Sequence, residues 1–167
     1  MDDPVLTRRS IRKYEKQELP GELVERLLRA AMAAPSASNQ QPWHFVVVRD
    51  RSLLARVPDI HPYSRMITQA PLAILICAEP RVCTWPQMWE QDCAAATENI
   101  LVEAQLLGLG SVWLGVHPIE DRVAGFRDLF GLPDHIVPFS LLPVGFPAEK
   151  KPPAERYDAS RVHQDRW

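Results

Sequence analysis

The sequence predicts a mixed three-layer domain of the α/β or α+β class, with helices covering both faces of a sheet. Helical and strand patterns alternate along the chain, which favours layers over a pure bundle or sandwich. The segment Leu72–Ala78 (LAILICA) is apolar at every position, as a strand buried on both faces requires. The chain has 16 prolines against 7 glycines, and Pro20, Pro35, Pro42, Pro71, Pro118 and Pro133 fall at element junctions, where they give short, stiff connections.

Between Pro20 and Ala34, the residues Leu23, Leu27, Leu28 and Ala31 recur at helical spacing among Glu22, Glu25, Arg26 and Arg29. Pro20 suits a first turn and Pro35 closes the helix. Residues 44–48 are a β-branched run and read as a strand, and 52–57 read as a helical turn. Residues 90–107 form the clearest helix, with Cys93, Thr97, Ile100, Leu101, Ala104 and Leu107 on one face and Gly108 as its stop. Residues 111–116 read as a strand. A helix over 120–130 runs through Val123, Phe126, Leu129 and Phe130 and ends at Gly131 and Pro133. Residues 137–146 give the last strand. The tail, 147–167, has Tyr157, Val162 and Trp167 among many charges, too little to build a core, so it must lie over its own domain or a partner.

No repeat or linker divides the 167 residues, so one domain is expected over 1–167. The net charge of −2 gives no drive toward nucleic acid or an anionic membrane. Hydrophobic residues at 46% and charged residues at 24% argue against disorder. Cys77, Cys83 and Cys93 are an odd count without a CxxC, which favours a reducing compartment over a disulfide framework. The opening MDDPVLTRR is polar where a signal peptide is apolar, and no run is long enough to span a bilayer. A soluble cytoplasmic protein is the expectation.

Three segments could carry chemistry. Residues 8–13 hold Arg8, Arg9, Arg12 and Lys13 around Ser10, a donor set suited to phosphate, although a solvated basic face or a nucleic-acid arm has the same pattern. Residues 34–45 place Ser36, Ser38, Asn39, Gln40 and Gln41 between two prolines, just before a strand with aromatic flanks. Such a density of amides and hydroxyls suits a polyol or the edge of a heterocycle, and an ordinary polar loop is the plain alternative. Residues 108–115 (GLGSVWLG) have the wrong glycine spacing for a Rossmann turn and run from helix to strand, the reverse order; a cap and tight turn, or close approach to a planar ligand, remain. There is no G-x-S-x-G elbow and no H-E-x-x-H, and the five histidines lack ligand spacing, so neither a catalytic triad nor a metal is expected. Cys77 and Cys93 read as core residues, and Cys83 as a loop thiol.

Taken in order, these segments resemble the nitroreductase family of FMN-dependent oxidoreductases. The matching motifs are Arg8-Arg9-Ser10-Ile11-Arg12; Ala34 to Phe45 with Asn39, Gln41, Pro42 and Trp43; Asp92, Ala96, Asn99, Ile100 and Leu101; Gly108 to Gly115; and Pro143, Gly145 and Pro147 with Arg156 downstream. The resemblance implies an α+β fold with a central, mostly antiparallel sheet flanked by helices, in an intertwined homodimer that holds FMN at its interface. It implies that Arg8 and Ser10, with Arg9 beside them and Arg156 from the late chain, hold the FMN phosphate, and that Arg12 sits at the flavin pyrimidine edge. Pro35, Ser36, Ser38 and Asn39 would reach the flavin from the partner subunit, and Leu114, Gly115 and Val116 would pass the ring near N5.

The chain is shorter than the larger members, so their helical lid shrinks to about residues 80–89. Residues 63–69 lack the Asn and Lys that some members set against the pyrimidine. The implied activity is two-electron transfer from NADH or NADPH, through flavin N5, to a small acceptor such as a nitroaromatic, quinone or activated alkene, with ping-pong kinetics. No protein acid–base pair is expected to be catalytic, because the flavin carries the chemistry. The alternatives are a same-fold enzyme for one metabolite (reductive dehalogenation or flavin fragmentation) and a non-catalytic flavin-binding module.

Overall fold

In the computed structural model, which describes residues 3–167, the first helix, α1 (Pro4–Thr7), is capped by the Asp3 carboxylate, which accepts from Val5 N. The main elements follow as α2 (Gly21–Met32), β1 (Trp43–Val48), α3 (Arg51–Ile60), β2 (Leu72–Ala78), α4 (Trp89–Leu106), β3 (Gly110–Ser111), β4 (Leu114–Gly115), α5 (Glu120–Phe130) and β5 (Val137–Gly145). The strands join in the order β1-β2-β5-β3, with β4 also on β5, and every pair is antiparallel. The expected α+β sandwich with an antiparallel sheet is therefore present.

The alternation of β2 builds the layers. Leu72, Ile74, Ile76 and Ala78 face one cluster with Leu27 and Ala31 of α2 and Cys93, Ala96 and Ile100 of α4. Ala73, Leu75 and Cys77 face the other, with Leu54 and Val57 of α3 and Phe126 and Leu129 of α5. Successive side chains of a strand point to opposite faces, so an all-apolar strand between two helical layers follows directly. The small residues Ala96 and Ala104 of α4 are buried in this core beside α2, so helix approach at these alanines occurs within the chain.

Two elements differ from expectation. The turn at 52–57 is a full helix, α3, because Asp50 caps it through Ser52 N at 2.7 Å and Leu53 N at 3.4 Å and it continues through Pro58. The strand at 111–116 is interrupted into β3 and β4. Their shared register puts Pro143 opposite Val112, and a proline has no N–H to give the ladder there. The short segment at 80–89 consists of two 3-10 turns, Pro80–Val82 and Pro86–Met88, leading into α4. Among the described residues no helix is long and apolar enough to cross a membrane.

Candidate functional site

The cationic segment leaves α1 at Arg8 in an extended conformation and docks beside β3. Ser10 bridges Ser111 in parallel, and Ile11 N donates to Ser111 O at 2.9 Å. Ile11 turns into the core against Gly110, where a Cβ would lie 2.6 Å from Ile11 Cγ2; only glycine lets the segment come this close. Alternation then sends Arg8 and Arg9 to different clefts. Arg8 shares a cleft of about 460 Å³ with Leu6, Pro153, Arg156 and Tyr157, so the early and late arginines meet. Its Nε lies 3.2 Å from Glu98 Oε1 of α4, but the angle is too poor for a hydrogen bond, and this buried donor has no hydrogen-bond partner among the described residues. Arg9 donates to Pro152 O and lines a second cleft of about 260 Å³ with Glu149, Lys150 and Lys151.

Arg12 presents an exposed side chain, and its backbone N donates to Glu149 Oε1 at 2.6 Å. That bond, with Lys151 and Lys13 nearby, holds the Glu149 carboxyl below the usual carboxylate range. Lys151 donates from Nζ to Ser10 O at 2.6 Å and lies 3.3 Å from Glu149. Sequence reasoning missed this cation, although Lys150-Lys151 follows the Pro143-Gly145-Pro147 motif closely enough to have suggested it.

Residues 36–41 fold into a tight loop in which Ser38, Asn39 and Gln41 have positive φ of 48°, 54° and 48°. Left-handed backbone costs roughly 1–2 kcal/mol per non-glycine residue, least for Asn, so the surroundings must impose it. Gln41 N donates to Ser36 Oγ at 3.1 Å and Gln41 Nε2 to Asn39 Oδ1 at 3.0 Å. Asp92 of α4 accepts from Ala37 N at 2.9 Å and from Gln40 Nε2 at 2.6 Å. The loop therefore hangs from the first turn of α4, while Arg8 meets Glu98 six residues further on, roughly 9 Å along the helix axis. Pro35, Ser36, Ser38 and Asn39 line neither of the clefts that hold Arg8 and Arg9.

Leu114 and Val116 are buried, and Gly115 is half-buried with nothing within 4 Å of where its Cβ would stand. Open space over a glycine in a strand is where a planar group can lie against the backbone. Behind it, Arg122 of α5 donates to Gly115 O at 2.9 Å. His61 is 3% exposed with both ring nitrogens lacking hydrogen-bond partners among the described residues. Burial and then Arg122 hold its pKa below the usual imidazole value. Burial pushes the Cys77 thiol up to about 12 and raises Cys93 and Cys83 as well, so none of the three is an activated nucleophile.

The fold superposes on an FMN-dependent nitroreductase from Clostridium difficile with a TM-score of 0.91 at 28% identity, covering 100% of both chains. It matches a protein of Clostridium acetobutylicum, provisionally named an NADH oxidase, with a TM-score of 0.96 at 44% identity over 99% of this chain and 100% of that one. A protein of Methanothermobacter thermautotrophicus, provisionally named an NADH dehydrogenase/NAD(P)H nitroreductase, is 48% identical over 165 residues, 99% of this chain and 86% of its own. The model of the nitroreductase family matches residues 5–62 and 61–146. The chain belongs to the nitroreductase family.

Proposed function

We propose that the chain is an FMN-dependent oxidoreductase that takes a hydride from NADH or NADPH and passes two electrons to a small oxidised acceptor, such as a nitroaromatic, quinone or activated alkene, by a ping-pong mechanism. One observation carries the FMN assignment: Arg8, whose buried Nε faces Glu98 at 3.2 Å without making a hydrogen bond, shares a cleft with Arg156. Two guanidinium groups lining one cleft form a donor set that a phosphate fits. Ser10 follows Arg8 and Arg9 on the same segment, and Lys151 donates to its carbonyl from the side of the second cleft.

When bound, FMN supplies hydride and two-electron chemistry, and the protein supplies binding, orientation and electrostatics. Arg8 and Arg156 neutralise the phosphate. The exposed Arg12 guanidinium places positive charge at the pyrimidine edge, where reduction adds electron density, and so favours the two-electron step electrostatically. Leu114, Gly115 and Val116 offer backbone with no side chain over Gly115, and Arg122 fixes the Gly115 carbonyl from behind. Pro35, Ser36, Ser38 and Asn39 stand apart from the Arg8 cleft, which supports a homodimer in which a second copy brings this loop to the flavin. The five strands form one sheet, which supports reading 1–167 as one domain.

The test is spectroscopic. The purified protein should be yellow, or become so with added FMN, and anaerobic NADH or NADPH should bleach it. Adding an acceptor panel should then restore the colour with parallel lines in double-reciprocal plots. A colourless protein that neither binds FMN nor oxidises NAD(P)H defeats the reading; a yellow protein that neither nucleotide reduces leaves only a flavin-binding module.

A further inference from the structure

The loop 36–41 is gripped from two sides by groups to which the proposed chemistry gives no part. Asp92, only 5% exposed, takes Ala37 N and Gln40 Nε2 on its two carboxylate oxygens. The Gln40 amide then reaches outward: its Oε1 accepts from Trp85 N at 3.1 Å, and its Nε2 lies 3.3 Å from Trp85 O. Trp85 returns to the loop, its indole Nε1 donating to Ser38 Oγ at 3.0 Å. Trp85 stands between the turns Pro80–Val82 and Pro86–Met88, so the circuit joins that segment, the loop and α4. We infer that Asp92, Gln40 and Trp85 form a clasp that holds residues 36–41 in their left-handed conformation, which makes Asp92 a positioning residue for the FMN site. The flavin half of this inference rests on the function proposed above.

The chemistry of the circuit is directional. A carboxylate only accepts, so Asp92 turns the Gln40 NH2 inward and its carbonyl outward, which is the one orientation that satisfies Trp85 N. An asparagine at 92 that keeps its carbonyl on Ala37 N sets its own NH2 against that of Gln40, and one turned the other way sets it against Ala37 N–H. Gln40 could relieve the clash by flipping, and would then lose the bond from Trp85. A glutamate at 40 faces the mirror problem, two carboxylates in contact. Changing both residues restores a donor facing an acceptor at the Asp92 end and keeps an acceptor for Trp85 N, with the net charge unchanged.

The experiment compares wild type, Asp92→Asn, Gln40→Glu, the Asp92→Asn/Gln40→Glu double variant and Trp85→Phe as full-length chains. It reads amide hydrogen exchange at Ala37 and Gln41 without flavin, and FMN affinity by titration. Each single change at 92 or 40 should speed exchange about tenfold or more and weaken FMN about tenfold, and the double variant should recover most of both. Trp85→Phe keeps an aromatic ring and the backbone bonds to Gln40 but loses the indole N–H to Ser38, and at this half-exposed position it should fold normally and show the same changes to a smaller degree. Unchanged exchange in the single variants and in Trp85→Phe overturns the clasp whatever the flavin does. Faster exchange with unchanged FMN affinity overturns the positioning role and leaves the flavin reading intact. A double variant no better than the singles overturns the directional circuit. Should the wild type bind no FMN, the function proposal fails and the positioning role with it, while the exchange arm still decides the clasp.

Discussion

Arg8 and Arg156 come from opposite ends of the chain and line one cleft, an arrangement that makes sense when an anion lies between two like charges. Arg8→Ala and Arg156→Ala should each weaken FMN binding by about 1.5–3 kcal/mol, or roughly 10- to 100-fold in Kd. The double variant should lose less than the sum if the two share one phosphate. Fluorescence titration of FMN checks this, and an unchanged Kd for Arg8→Ala removes the assignment. His61 gives a pH dependence at the same scale. Its pKa is lower folded than unfolded, so the unfolded chain binds more protons and stability rises with pH. The contribution is intact above about pH 6.5 and is lost as the pH falls through the depressed folded value. Urea midpoints between pH 7.5 and about 5 should decline in the wild type and decline less in His61→Gln. Arg8, Ser10 and Asn39 could be found in the sequence because residue type and local order mark them. The contacts of Asp92 and Lys151 could not, because they rest on distant partners: Ala37 is 55 positions from Asp92, and Ser10 is 141 from Lys151.

Among the elements, the contact between the cationic segment and β3 leaves no room for a single methyl group. A Cβ at Gly110 would meet Ile11 Cγ2 at 2.6 Å and Cβ at 2.8 Å, inside a side chain that is itself buried. Gly110→Ala should cost about 1–3 kcal/mol of stability by denaturant unfolding and should weaken FMN binding as well, since Ile11 lies between Ser10 and Arg12. Equal FMN affinity in Gly110→Ala would detach this contact from the site. The layers could be read because β2 is apolar throughout and α4 keeps a buried stripe over several turns. Two boundaries could not. The sequence marks 52–57 as a helical turn, yet the Asp50 cap and the burial of Leu54 and Val57 extend it to the full α3, through Pro58. The break between β3 and β4 comes from Pro143 on another strand, which no local window around 111–116 contains.

For the whole molecule, the separation between the Arg8 cleft and the loop at 36–39 makes a directly testable statement about assembly. Mixing Arg8→Ala chains with Asn39→Ala chains should give mixed dimers that regain one intact site, with both lesions gathered in the other. Activity in isolated mixed dimers supports the shared site; none, despite proven subunit exchange, or a fully active monomer, removes it. FMN should also raise the thermal midpoint with concentration, because it binds the folded form. One last consequence belongs to β5. It is the final strand made, yet it sits between β2 and the β3–β4 pair, and its residues Leu141, Leu142 and Val144 are fully buried. Until residues 137–145 leave the ribosome, the nascent chain carries β2 with one edge open. The protein therefore cannot mature piece by piece from its N-terminus: its central layer closes in one late event, and a polypeptide stalled before Val137 presents the cell with an adhesive intermediate instead of a smaller folded unit.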